Sequence, residues 1–126
     1  MDNFYLKTGA IFGALSVGVG AFGAHLLKPM LLASNRLETF DTAVKYQFYG
    51  TFAILVIGLL PVAYKNKLSK IAGNLFLIGT IIFSGSLYLI CTTGITIFGA
   101  ITPIGGICLI SGWLFLFFSI RNTNNI

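Results

Sequence analysis

Apolar residues in this chain gather in runs too long for a soluble domain of its size. Residues 71–120 form 50 consecutive positions without one Asp, Glu, Lys, Arg or His. As a single helix that run would be about 75 Å long, more than twice the thickness of a bilayer core. It must fold back on itself, and Gly94, Gly99 and Pro103, set among Thr92, Thr93, Thr96 and Thr102, place the turn in its middle. Windows of about 20 apolar residues then divide the chain into four membrane spans at residues 4–27, 46–64, 71–93 and 103–120. Thr102 followed by Pro103 suits the start of the last helix, since proline at the first helical position gives up no needed donor.

A cleaved signal peptide is the rival reading of the first span. It requires a basic start, a shorter apolar core and a small-x-small exit. Asp2 and Lys7 make a poor start and Ala21-Phe22-Gly23 a weak exit, so the segment reads as a mature helix. The connection 28–45 is the longest and most polar part of the chain. Pro29 should end the first helix, and Asn35 three residues before Glu38 resembles a capping box. Leu37, Phe40, Val44 and Phe48 then recur at helical spacing, with Glu38, Asp41 and Lys45 off the stripe. The expectation is an amphipathic helix on the outer surface that leads into the second span, which tyrosines 46 and 64 bracket as interfacial anchors. Asp41 and Lys45 are spaced for an ion pair one turn apart.

Basic residues set the orientation. Lys65-Asn66-Lys67-Leu68-Ser69-Lys70 holds three lysines and no acid, so this loop should remain in the cytoplasm and both termini with it. Lys7, Lys65, Lys67, Lys70 and Arg121 then lie inside, against Lys28, Arg36 and Lys45 outside. The fold expected is all-α: one integral membrane domain, 1–126, built as a small four-helix transmembrane bundle with an amphipathic outer helix between spans 1 and 2.

Composition agrees. The chain is 56% hydrophobic and 9% charged with mean hydropathy +0.93, whereas soluble domains carry roughly 25% charged residues. The net charge of +5 comes from cations scattered at helix ends. They form no stripe for a nucleic-acid backbone. Cys91 and Cys108 fall in apolar runs and fit no redox pair, so free thiols are expected.

Little in the spans could do chemistry. Ion-coupled transport needs ionisable groups at membrane depth, and here Lys7 and His25 lie only at span ends. Asp2, Glu38 and Asp41 are the only acids, and no nucleophile motif is present. No catalytic residue, metal set or cofactor is expected. The polar residues His25, Glu38, Asp41, Tyr46, Gln47 and Tyr49 gather on the outer side, where a metal or lipid headgroup could be held. The plainer reading is that His25 and Gln47 bond each other or backbone carbonyls to tie two helices. Gly9, Gly13, Ser16, Gly20 and Gly23 recur in steps of four and three, a small-residue seam on the first helix. Gly105, Cys108 and Gly112 form a shorter seam on the fourth helix, and Gly73, Thr80 and Ser84 a looser one on the third. These seams suit packing within the bundle, with homodimerisation as the alternative. Trp113 lies within the fourth span, and its indole N–H should find a bundle partner.

Four motifs occur together: Gly20-Ala21-Phe22-Gly23-Ala24-His25, Thr42-Ala43-Val44-Lys45-Tyr46-Gln47-Phe48-Tyr49, Phe83-Ser84-Gly85-Ser86-Leu87-Tyr88 and Gly99-Ala100-Ile101-Thr102-Pro103-Ile104-Gly105-Gly106. In this order they resemble the uncharacterised bacterial membrane-protein family related to animal transmembrane protein 256, over nearly the whole chain. The resemblance implies a small four-helix membrane protein with no assigned activity. It also implies that His25, Gln47, Tyr49 and the Thr102-Pro103 turn mark a shared feature. The family commonly carries a histidine directly after the Tyr-Gln-x-Tyr motif. Here that position is Gly50, which favours a packing role over a metal or proton relay. The function expected is non-enzymatic: membrane organisation or envelope integrity through association with membrane lipid, a second copy or another membrane protein. The alternatives are a passive channel lined by Ser84, Ser86, Thr92, Thr93 and Ser111, or the outer-face binding module.

Overall fold

The computed structural model describes residues 3–120, so Asp2 and Arg121 lie outside the described residues. Five α-helices follow in order: α1 Phe4–His25, α2 Lys28–Ala33, α3 Leu37–Leu59, α4 Lys67–Thr93 and α5 Thr102–Ser119. Short 3-10 turns, Val62–Tyr64 and Thr96–Ala100, precede α4 and α5. There is no strand among the described residues. Four helices are long and apolar enough to cross a membrane: α1, α3, α4, and α5 together with the turn before it.

The second span differs from its expected bounds. α3 is continuous from Leu37 to Leu59, so the amphipathic segment is the first turns of the spanning helix and not a separate surface helix. Hydropathy fades over those turns, but neither glycine nor proline interrupts them. At its far end Leu60 takes extended angles, φ −60 and ψ 143, the conformation a following proline favours. The helix therefore stops before Pro61, and Tyr64 lies in the 3-10 turn beyond it.

The expected capping box at Asn35 and Glu38 does not form. Asn35 is left-handed at φ 59, a conformation asparagine tolerates better than most residues. It closes α2, and Arg36 takes the N-cap position of α3 with no side-chain cap bond. Pro29 likewise does not stop α1; it sits in the first turn of α2. The capping box is instead at α4, where Asn66 accepts from the backbone N–H groups of Leu68 and Ser69 and Ser69 Oγ accepts from Asn66 N. α4 ends at Gly94, whose φ of 72 is the left-handed turn that glycine takes without a Cβ clash.

The spans run up-down-up-down. α1 packs on α3, α3 on α4 and α4 on α5, while α1 and α5 share no extensive contact. The bundle is thus open between its first and last helices. Its main core joins Tyr5, Ile54, Ile57, Ala72, Phe76 and Leu116. A smaller core of Leu31, Phe40 and Cys91 fixes the α2 turn at the opposite end. Outside, α1 shows Ile11, Leu15 and Val17, and α5 shows Ile107, Ile110, Leu114 and Phe117. In lipid such faces need no cover, so close packing and interhelical hydrogen bonds hold the helices together.

Candidate functional site

Polar side chains inside the spans converge on the α3–α4 interface. Ala43, Gln47 and Thr51 lie one turn apart along α3, and Thr80, Ser84 and Tyr88 one turn apart along α4, so each set shares a helix face. Tyr88 Oη donates to Gln47 Oε1 at 2.5 Å, and Ser84 Oγ donates to the Ala43 carbonyl at 2.7 Å. Thr51 Oγ1 donates to the Gln47 carbonyl at 2.7 Å and lies 3.5 Å from Ser16 Oγ of α1. A second tyrosine–amide pair stands at the other end, where Tyr5 Oη of α1 donates to Asn74 Oδ1 of α4 at 2.8 Å. Among the described residues, every buried side-chain nitrogen and oxygen has a hydrogen-bond partner. Because water is absent at this depth, each bond answers a polar group that would otherwise stay unsolvated. The set clamps α1, α3 and α4 together with neutral groups.

The six residues of the outer polar cluster do not form one site. Gln47 faces inward to Tyr88, while His25 ends α1 and is exposed. Gln47 therefore bonds a tyrosine of α4 and not His25, because α3 turns that face toward α4. Tyr46 packs on Phe83 with ring centroids 4.4 Å apart and on Tyr49 at 5.3 Å. Glu38 and Asp41 are exposed. Among the described residues no three of His, Cys, Asp and Glu come close enough together to hold a metal ion.

Ser84, Ser86, Thr92 and Thr93, four of the residues expected to line a channel, bond within or between helices. Ser86 Oγ donates to the Phe83 carbonyl at 2.9 Å and pairs with Thr102 Oγ1 at 2.5 Å, joining α4 to α5. Thr92 and Thr93 bond back to carbonyls of their own helix, Tyr88 and Leu89. Ser111 is half-buried on α5. Cys91 and Cys108 are free thiols, as expected. Trp113 is 50% exposed and packs edge-on against Phe76, on the lipid-facing side of α5 and not within the bundle.

Tyr5, Asn66, Asn74 and Tyr88 carry much of this arrangement without having been singled out individually by the sequence. Their signal is present: Tyr88 and Asn74 are polar groups deep in an apolar run, each needing a partner on another helix.

Residues 19–106 match the family described as "Protein of unknown function (DUF423)". The chain belongs to the DUF423 family. It is 41% identical to the UPF0382 membrane protein SH2409 of Staphylococcus haemolyticus, over 93% of this chain and 94% of that relative. It is 38% identical to a UPF0382 membrane protein of Haemophilus influenzae over 92% of both chains. It is also 35% identical to the UPF0382 membrane protein C1782.12c of Schizosaccharomyces pombe, over 82% of this chain and 90% of that one. No solved structure matches. This agrees with the uncharacterised multi-pass membrane family that the four motifs resemble.

In this DUF423 protein the α1 seam lies against α3. A Cβ on Gly9 would come within 2.5 Å of the Leu55 side chain, and one on Gly23 within 2.0 Å of Phe40 Cε2. Gly13 and Gly20 face Thr51 and Val44 at ordinary contact distance, 3.6 and 3.4 Å, and Ser16 is fully buried. The seam packs on α3, with Gly9, Ser16 and Gly23 buried and Gly13 and Gly20 half-buried. On α5, a Cβ on Gly105 would meet the Phe83 backbone nitrogen at 2.5 Å and one on Gly112 the Phe76 ring at 2.7 Å, while Cys108 faces Gly79 of α4. Gly50 sits on the α3–α4 face, where a Cβ would lie 1.8 Å from Thr80 Oγ1. Thr80 thus occupies the space a side chain at position 50 would need, and a histidine there would require the Thr80 side chain to move or α3 and α4 to part.

Several cavities open on the surface of the described residues, among them three of about 530 Å³ or more. One, of about 540 Å³, lies between the end of α1 and the start of α3, beside Lys28, Asp41 and Lys45. Another, of about 530 Å³, runs along the lipid-facing groove between Tyr46, Tyr49 and Trp113. The third, of about 660 Å³, is at the opposite end, where α3 gives way to α4.

Proposed function

We propose that this protein is a non-enzymatic structural component of the cell membrane that acts through association with lipid or other membrane proteins and supports envelope integrity. The observation that carries this reading is the internal pairing of the buried polar side chains, combined with outward faces on α1 and α5 built from large apolar residues. The polar groups hold the helices to one another, and the surface the molecule offers is hydrocarbon. We further propose that the lysine-rich connection 65–70 and both termini face the cytoplasm, on the excess of basic residues at that end.

Deletion of the gene should raise the uptake of a membrane-impermeant dye by intact cells, and expression of the wild-type chain should reverse it. Unchanged uptake would defeat the integrity role. Robust solute flux through proteoliposomes holding the purified protein, above that of empty vesicles, would replace this reading with a channel.

A further inference from the structure

The third cavity combines two chemistries. Its wall is apolar, formed by Tyr5, Ile57 and Val62, and its rim carries Lys65, Lys67 and Lys70. All three lysines are exposed and Val62 is 84% exposed, so the rim and the Val62 side of the wall are reachable from the bilayer surface, while Tyr5 and Ile57, 6% and 3% exposed, form the floor. The rim is firmly set: Tyr5 Oη donates to the Lys70 carbonyl at 3.1 Å as well as to Asn74, and Asn66 Nδ2 donates to the Ser119 carbonyl at 2.9 Å. The Leu68 and Ser69 N–H groups of α4 are taken by the Asn66 side chain, and the formal positive charge at the rim is that of the lysines.

Charge separates this cavity from its counterpart across the membrane. Lys7 joins the three rim lysines at the same end, and among the described residues that end holds no acid. The cavity at the far end sets Asp41 beside Lys28 and Lys45, which offsets part of their charge. A cationic rim over an apolar wall, at the depth where a spanning helix leaves the hydrocarbon, fits an amphiphile with a negative head. Its volume lies within the range of small-ligand sites, about 300–1,000 Å³.

We infer that this cavity binds one anionic phospholipid from the bilayer, its phosphate held by Lys65, Lys67 and Lys70 and the start of an acyl chain against Ile57 and Val62. The inference deepens the lipid-association reading and rests on it for its physiological meaning alone. A zwitterionic lipid gains less here, because its own cation opposes the lysines.

Native mass spectrometry of the full chain in detergent, titrated with short-chain phosphatidylglycerol, reads the binding directly. One phosphatidylglycerol should be retained per chain, with phosphatidylcholine retained much more weakly. Lys65→Gln, Lys67→Gln and Lys70→Gln together should weaken phosphatidylglycerol on the order of 100-fold, from the contribution of each lysine near an anionic surface. Lys28→Gln with Lys45→Gln should leave it unchanged. Val62→Trp keeps the charges and fills the apolar wall, so it should also weaken the lipid and shows that chain contact matters. Equal retention of the two lipids, or no loss in the triple variant, would overturn the proposal. Displacement of phosphatidylglycerol by inorganic phosphate, with Val62→Trp inert, would mark a free-anion site and overturn the lipid assignment. The dye-uptake experiment is independent of these readouts, so a failed integrity role and a failed lipid site are distinguishable.

Discussion

Gly50 shows how closely single residues are fitted at the α3–α4 interface. The Thr80 hydroxyl bonds only to the Phe76 carbonyl of its own helix, so Thr80 contributes shape to this contact and not an interhelical bond. Gly50→Ala places a methyl 1.8 Å from Thr80 Oγ1, and the helices must separate or the side chain must rotate. Overpacking of this kind costs about 1–3 kcal/mol, more than the roughly 1 kcal/mol that alanine gains over glycine in a helix. Gly50→Ala should therefore lower the thermal midpoint in detergent. Adding Thr80→Gly moves the small residue across the interface, removes the three atoms nearest the new methyl and should restore most of the loss. If the double variant is as unstable as Gly50→Ala alone, the close approach is not what Gly50 provides. Tyr88 and Gln47 illustrate the other residue-level device, a tyrosine hydroxyl satisfied by the amide of the neighbouring helix. Interhelical bonds of this type contribute about 0.6 kcal/mol on average in membranes, so they fix the register of α3 against α4 more than they add to stability.

At the scale of elements, the spans were legible because hydropathy over about 20 residues is a strong signal in lipid. Helix ends were legible at Gly94 and Pro103 but not at Pro29, which sits in the first turn of α2 instead of stopping α1. Gly94 stops α4 through its left-handed turn, and Pro103 opens α5. Asparagine has two outcomes, and the pattern chose between them wrongly: Asn35 closes α2 in the left-handed region while Asn66 caps α4. Asn66 was missed because its reciprocal partner is Ser69, not the Glu or Gln that the capping-box pattern usually carries. The pairings of Tyr5 with Asn74 and Tyr88 with Gln47 were not legible at all, since they depend on which helices become neighbours across 69 and 41 residues of chain. Asn66→Ala removes the cap of α4 together with the tie to the Ser119 carbonyl of α5. Loss of an N-cap costs about 0.5–2 kcal/mol. Hydrogen exchange should accelerate over the first turns of α4 and the end of α5, and leave α1 near His25 unchanged. Exchange unaltered at both places would show that the cap does not hold this end.

Across the whole molecule the two ends differ in charge more than in shape. One end presents Lys7, Lys65, Lys67 and Lys70 without an acid among the described residues; the other presents Lys28, Arg36 and Lys45 with Glu38 and Asp41. The up-down-up-down course fixes which residues share an end, so one labelled position at each end decides the orientation of all four spans. With Cys91→Ala and Cys108→Ala as background, Lys67→Cys and Ser34→Cys place single thiols at exposed positions on opposite ends. A membrane-impermeant maleimide should modify Ser34→Cys in intact cells and Lys67→Cys only after permeabilisation. The opposite pattern would put the lysine end outside and contradict the basic-residue rule for this chain. It would also move the lysine-rimmed cavity to the outer leaflet. The cavity's preference for an anionic headgroup depends on its lysines and would survive that result, but the leaflet supplying the lipid would change. Orientation and lipid binding are therefore separable properties of one end of the bundle, and the labelling pattern determines which lipid pool the cavity meets.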